Sequence, residues 1–235
     1  MDLLLIEIDT KLRDIIVANF LPKGLPVYDC GLRDGILGII DKKKINVVFI
    51  DIDKEGGLAS NISLLRQIKA KNLAVIAYTE HTDEKELKVL IESGVTGYVK
   101  KTQKPAEDVK KLVEIIVKKC PPQERRQAPR VKISEDEDVK VNFNIPNTNK
   151  IVKGPVLEIS FVGLLFKADL QSDTRNVKPG DLIANMQINL GSKRILTDAQ
   201  IAMLKGDYIG IKFMPKDDIL KNTLIKYMYE KMSAL

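Results

Sequence analysis

Cysteine and histidine are nearly absent: the 235 residues contain two cysteines and one histidine. Cys30 and Cys120 stand far apart, which excludes a disulfide framework and any Cys-based metal spacing. His81, alone among polar neighbours, reads as a surface-loop residue rather than a metal ligand or catalytic base. Aromatic residues make up 5% of the chain, too few for a platform on which an oligonucleotide would stack. No apolar run is long enough to span a membrane. Leu3–Ile8, interrupted by Glu7, is the nearest approach, and no basic leader precedes it. Nor is there a charge surplus of one sign. Residues 1–120 carry 20 basic and 18 acidic side chains and residues 121–235 carry 18 and 14, so +2 and +4 give the net +6. Neither half has a polybasic nucleic-acid face, while the surplus in the second suits a small anionic ligand.

What is present is two kinds of periodicity. Up to about residue 119, short apolar runs alternate with helical spacing. Strands are expected at Leu3–Ile8, Val27–Cys30, Ile45–Ile50, Leu73–Tyr78 and Gly97–Val99. Helices are expected around Leu12–Phe20, up to Lys44, and over Ile62–Ala70, Asp83–Ser93 and Glu107–Lys119. Five such units imply a parallel, doubly wound α/β sheet covered on both faces, whose ligands gather at the carboxyl ends of the strands. Glu7, Asp9, Asp51, Thr79 and Lys101 stand at those ends. Cys120-Pro121-Pro122 then forms a semi-rigid linker. From Val131 the pattern turns to strands at Val131–Ile133, Val139–Phe143, Ile151–Ile159, Gly163–Phe166, Leu182–Leu190, Arg194–Leu204 and Tyr208–Phe213. Such spacing suggests a small antiparallel barrel of about six strands, closed by one helix from Asp217 to about Met232.

Two short stretches carry the chemistry of the second half. Glu124-Arg125-Arg126-Gln127-Ala128-Pro129-Arg130 places three arginines in seven residues, and Pro129 keeps the segment extended. Guanidinium forks suit phosphate oxygens and stack on flat bases. Glu158-Ile159-Ser160-Phe161-Val162-Gly163 is a polar strand end that runs into a glycine turn.

Together these stretches resemble the PilZ domain, a receptor module for cyclic di-GMP, whose pattern is R-x-x-x-R followed by D/N-x-S-x-x-G. Arg126 and Arg130 match the first motif, and Ser160 and Gly163 the second; Glu158 stands where the family has Asp or Asn. Ile209-Gly210-Ile211-Lys212-Phe213 looks like the family's late strand before its helix. The resemblance implies that Arg126 and Arg130 clamp phosphates and stack on guanine, assisted by Arg125. Ser160 would hydrogen-bond the ligand, Gly163 would permit close approach, and Glu158 would face a guanine edge.

The first half resembles a response-regulator receiver. Asp51 stands at the phosphoacceptor position, Thr79 at the switch hydroxyl, Tyr98 at the switch aromatic, and Lys101 at the phosphoryl-contacting lysine. The resemblance implies a histidine kinase as phosphodonor and a weak magnesium site from Glu7, Asp9 and Asp51. The acidic pair is split by Ile8, and Glu55 and Thr102 replace two family prolines. A scaffold for packing or homodimerisation is the alternative.

The expectation is therefore a receiver-like domain over 1–119 and a PilZ domain over 120–235. It is a cytoplasmic, non-enzymatic effector that binds cyclic di-GMP and signals to a downstream protein. The alternative is a nucleotide-independent interaction module governed by Asp51 phosphorylation or by protein contacts. A DNA-reading output is disfavoured, because the second half offers one helix and no basic recognition face.

Overall fold

The computed structural model describes residues 1–31, 35–54, 57–81, 83–119, 129–146, 148, 150–172, 174–214 and 218–233. The chain divides into two compact units, Met1–Gln127 and Ala128–Leu235.

The first unit is a five-stranded parallel sheet. Its strands are β1 (Leu3–Ile6), β2 (Val27–Cys30), β3 (Val47–Asp51), β4 (Ala74–Thr79) and β5 (Gly97–Lys100), in the order β2-β1-β3-β4-β5. Every residue of β1 and β3 is buried, which is why both read as unbroken apolar runs. Successive side chains of a strand point to opposite faces. Leu4, Ile6, Val48, Ile50, Val75 and Ala77 share one core with α2 (Ile36–Lys43), α3 (Gly57–Lys69) and α4 (Glu84–Glu92). Their alternates Leu3, Leu5, Val47, Phe49 and Ile76 are buried as well, with α1 (Thr10–Phe20) and α5 (Pro105–Lys119) packed on each other. Asp9 starts α1 by accepting the Leu12 amide, and Asp83 starts α4 by accepting that of Lys85. Asp108 of α5 is buried, but it accepts Tyr78 Oη, Thr102 Oγ1 and the Thr102 amide at 2.8–3.0 Å. Burial and the Asp108 carboxylate together push the Tyr78 phenol well above its ordinary pKa.

The second unit is an antiparallel barrel. β7 (Val139–Asn144), β8 (Ile151–Ile159), β9 (Gly163–Lys167), β10 (Leu182–Leu190), β11 (Lys193–Lys205) and β12 (Tyr208–Phe213) run in the order β8-β7-β10-β11-β12-β9, and β8–β9 pairing closes the circle. β8 pairs with β7 through Ile151–Pro155 and with β9 through Val156–Ile159. A two-residue strand, β6 (Val131–Lys132), adds to the end of β8. The interior takes apolar residues from every barrel strand, and Leu220 and Leu224 of α6 (Asp218–Ser233) pack on it. Glu137, in the turn before β7, accepts Tyr227 Oη at 3.0 Å and pairs with Lys231 at 2.7 Å, which ties α6 to the barrel.

The alternation of β10 slips between Ile183 and Met186, both buried and three residues apart. A bulge falls between them, with Asn185 in the left-handed region at φ 52°. The extra residue returns Met186, Ile188 and Leu190 to the inward face.

Candidate functional site

In the barrel, the register decides what meets what. Val131 of β6 lies opposite Ile159, and Lys132 opposite Glu158. Arg130 therefore enters the sheet beside the end of β8, and its Nη1 pairs with Glu158 Oε2 at 3.1 Å. The Arg130 side chain is half exposed, so its guanidinium remains open to solvent.

Ser160 is buried and satisfied within its own turn. Its amide donates to the Gly163 carbonyl at 2.8 Å, its hydroxyl donates to the same carbonyl at 3.0 Å, and it accepts the Val162 amide at 3.3 Å. These bonds fold Ser160–Gly163 back so that β9 can pair with β8. Gly163 is glycine for space, not for an unusual φ. A Cβ there would run into the Ile211 carbonyl oxygen and sit 3.0 Å from the Ile211 carbonyl carbon. The structure thus gathers Arg130, Glu158, Ser160 and Gly163 at one corner of the barrel, while Arg125 and Arg126 lie outside the described residues.

In the sheet unit, β3 delivers Asp51, β4 delivers Thr79, and the end of β5 delivers Lys101. Lys101 Nζ contacts Asp51 Oδ1 at 2.6 Å. It also contacts Asp53 Oδ2 at 2.8 Å and lies 5.2 Å from the centre of the Tyr78 ring. Burial alone would lower the Lys101 pKa, but the two carboxylates outweigh it and raise it. Asp53 also accepts the Thr79 hydroxyl at 2.7 Å and the Glu80 amide at 2.7 Å. Burial pushes the Asp53 carboxyl up; the bonds from Lys101, Glu80 and Thr79 outweigh that and hold it below the ordinary range. Tyr98 is exposed on β5, away from this cluster's polar contacts.

The expected magnesium site does not fit. Asp9 caps α1, Glu7 follows β1 in the left-handed region at φ 59°, and the Lys101 ammonium already neutralises the carboxylate at Asp51. Among the described residues, no group of three or more His, Cys, Asp or Glu side chains is arranged to hold a metal ion. A hard divalent cation at Asp51 would have to share that carboxylate with the Lys101 ammonium.

Asp53 was not singled out from the sequence. The available signal was Asp51-Ile52-Asp53, two acids at i, i+2 leaving a buried strand.

Comparison with known proteins identifies the barrel unit. Residues 124–230 match the PilZ domain. No curated protein matches the chain. Among solved structures, the PilZ domain of YcgR from Escherichia coli with c-di-GMP is similar, at 13% identity and a TM-score of 0.39, over 46% of this chain and 92% of that one. The MrkH–c-di-GMP complex from K. pneumonia is similar at 16% identity and a TM-score of 0.40, over 46% of this chain and 52% of that one. NtrX from Brucella abortus is similar at 22% identity and a TM-score of 0.42, over 50% of this chain and 27% of that one. The chain thus spans about half the length of MrkH and about a quarter of that of NtrX. No described helix is long and apolar enough to cross a membrane.

Proposed function

We propose that this chain is a signalling effector that binds cyclic di-GMP at the arginine corner of its PilZ barrel and acts by binding rather than by catalysis. The observation that carries this reading is the meeting of Arg130 with Glu158 beside the Ser160–Gly163 turn, inside the PilZ match. Arg126 and Arg130 clamp the phosphates and stack on guanine, with Arg125 assisting. A bidentate guanidinium grip on a doubly anionic ligand uses the fork geometry that an ammonium lacks. Ser160 acts first by shaping the turn that presents the corner. Glu158 holds Arg130 before the ligand arrives, so binding exchanges a carboxylate partner for a phosphate one. The working compartment is the cytoplasm, and the bound state is read by a downstream protein.

The reading is tested by calorimetric titration of the intact chain and of Arg130→Ala with cyclic di-GMP. Saturable binding that the substitution weakens supports it. A folded protein that gives no heat of binding refutes it.

A further inference from the structure

We infer that the end of the barrel opposite the Ser160–Gly163 turn is a membrane-docking tip: the Leu170 side chain enters an anionic phospholipid surface, with Tyr208 and a ring of lysines at the head-group level. This rests on the barrel unit alone and is independent of the nucleotide reading.

β9 starts at Gly163, beside the arginine corner, and ends at Lys167, so the segment after it lies at the other end of the barrel. There Asp169–Ser172 forms a tight turn, in which the Ser172 amide donates to the Asp169 carbonyl at 2.8 Å. The turn is fixed to β8. The Asp169 amide donates to the Lys153 carbonyl at 2.9 Å, the Ser172 hydroxyl donates to the same carbonyl at 3.2 Å, and it accepts the Lys153 amide at 3.1 Å. Leu170 stands at the tip of this pinned turn and is 99% exposed. Two more exposed apolar residues flank it at strand starts: Ile151 on β8, and Tyr208 on β12, which pairs with Lys167. Three such side chains held in water at one barrel end leave their burial to a partner.

Charge and shape identify the occupant. Lys150, Lys153, Lys167 and Lys205 stand around the tip, all exposed, against Asp169 and Asp207. The Asp169 charge is partly met by Lys140, whose ammonium is favoured first by Asp138 and then by Asp169. The balance at the tip is cationic, which suits an anionic surface. Leu170 protrudes instead of lining a groove, so it suits a soft surface that closes around it. The foot of the turn is an open cleft of about 520 Å3, lined by Pro155, Lys167, Ala168, Asp169 and Gln171 as well as Leu170. A lipid phosphate seated there meets the Lys167 ammonium while Leu170 reaches the acyl boundary. Tyr208 and the lysine stems lie between, apolar body inward and polar end among the head groups.

The test is co-sedimentation of the full chain with vesicles of phosphatidylglycerol and phosphatidylcholine in equal parts, with pure phosphatidylcholine as the control. Wild type is expected to bind the anionic vesicles saturably, to leave the neutral ones, and to be released by salt. Leu170→Ser should weaken binding by about tenfold, the loss of one inserted leucine. Lys167→Glu combined with Lys205→Glu should weaken it by about tenfold or more. All three side chains are exposed, so these variants should melt as wild type does. The sequence contains no tryptophan, so Leu170→Trp places a single reporter at the tip. Its emission should move to the blue on anionic vesicles. Folded wild type that ignores anionic vesicles, or binds neutral ones equally, would overturn the proposal. So would sedimentation of Leu170→Trp without a blue shift, or wild-type affinity in Leu170→Ser. Binding of polyglutamate with none to vesicles would assign the tip to an acidic protein and overturn it too.

Discussion

Replacing Gly163 by alanine is expected to damage the barrel, and the size of the effect follows from backbone geometry. A Cβ at this position collides with the Ile211 carbonyl oxygen and lies 3.0 Å from its carbon and 3.2 Å from Lys212 Cα. These are backbone atoms of β12, so no side-chain rotation relieves the clash. β9 must move away from β12, where Gly163 pairs with Lys212. The bonds at risk are Ser160 N to Gly163 O at 2.8 Å and Phe213 N to Val162 O at 2.9 Å. Each is worth roughly 0.5–1.5 kcal/mol, and overpacking costs about 1–3 kcal/mol more. The sum is a loss of about 2–6 kcal/mol, or a fall of roughly 10–30 °C in the melting temperature of a domain of about 100 residues. Scanning calorimetry of the intact chain would show the barrel transition moving and that of the sheet unit staying. Gly38→Ala is the internal control. Gly38 lies within α2, and nothing stands within 4 Å of the place an alanine methyl would occupy, so alanine there should stabilise by about 0.5–1 kcal/mol. If Gly163→Ala melts within about 2 °C of wild type, the close approach of β9 and β12 is not what fixes this glycine.

Other outcomes follow from single contacts. Glu158→Gln removes the charge that competes for Arg130 and should tighten cyclic di-GMP binding by up to about fivefold, since a partly exposed surface pair is worth about 1 kcal/mol; titration beside wild type checks this, and weaker binding would mean that Glu158 contacts the ligand favourably. Lys231→Met should cost about 1 kcal/mol at pH 7, measured by urea denaturation. Burial pushes the Glu137 carboxyl up, but Lys231, the Ser134 amide and Tyr227 outweigh it and depress its pKa below the ordinary 4.5. That stabilisation is therefore present above pH 4.5 and lost as the pH falls through the lowered value, so the two proteins should converge in acid.

The sheet was legible because β1 and β3 are buried on both faces and so carry uninterrupted apolar residues. The start of α3 was not. The helix begins at Gly57, five residues before the expected Ile62, because Gly57-Leu58-Ala59-Ser60-Asn61 has weak helical character that tertiary contacts override. One such contact is buried Asn61, whose Nδ2 donates to Ile52 O at 3.2 Å. At the barrel corner, the resemblance to the PilZ motif pointed to Ser160 and Gly163, but not to their work within the turn, because hydroxyl direction is set by the fold. Asp53 was hidden for a related reason. An acid two residues past a strand end reads as solvated until the fold brings Thr79 and Lys101 onto it.

The central claim is that guanidinium groups of the arm hold cyclic di-GMP, and titration of four full-length proteins tests it most directly: wild type, Arg126→Ala, Arg130→Ala and Arg126→Lys. Wild type should bind saturably, each alanine variant should bind about ten- to hundredfold more weakly, and lysine should restore little, since it keeps the charge but loses the fork. All four should melt alike. Wild-type affinity in both alanine variants, or no binding by folded wild type, would contradict the account.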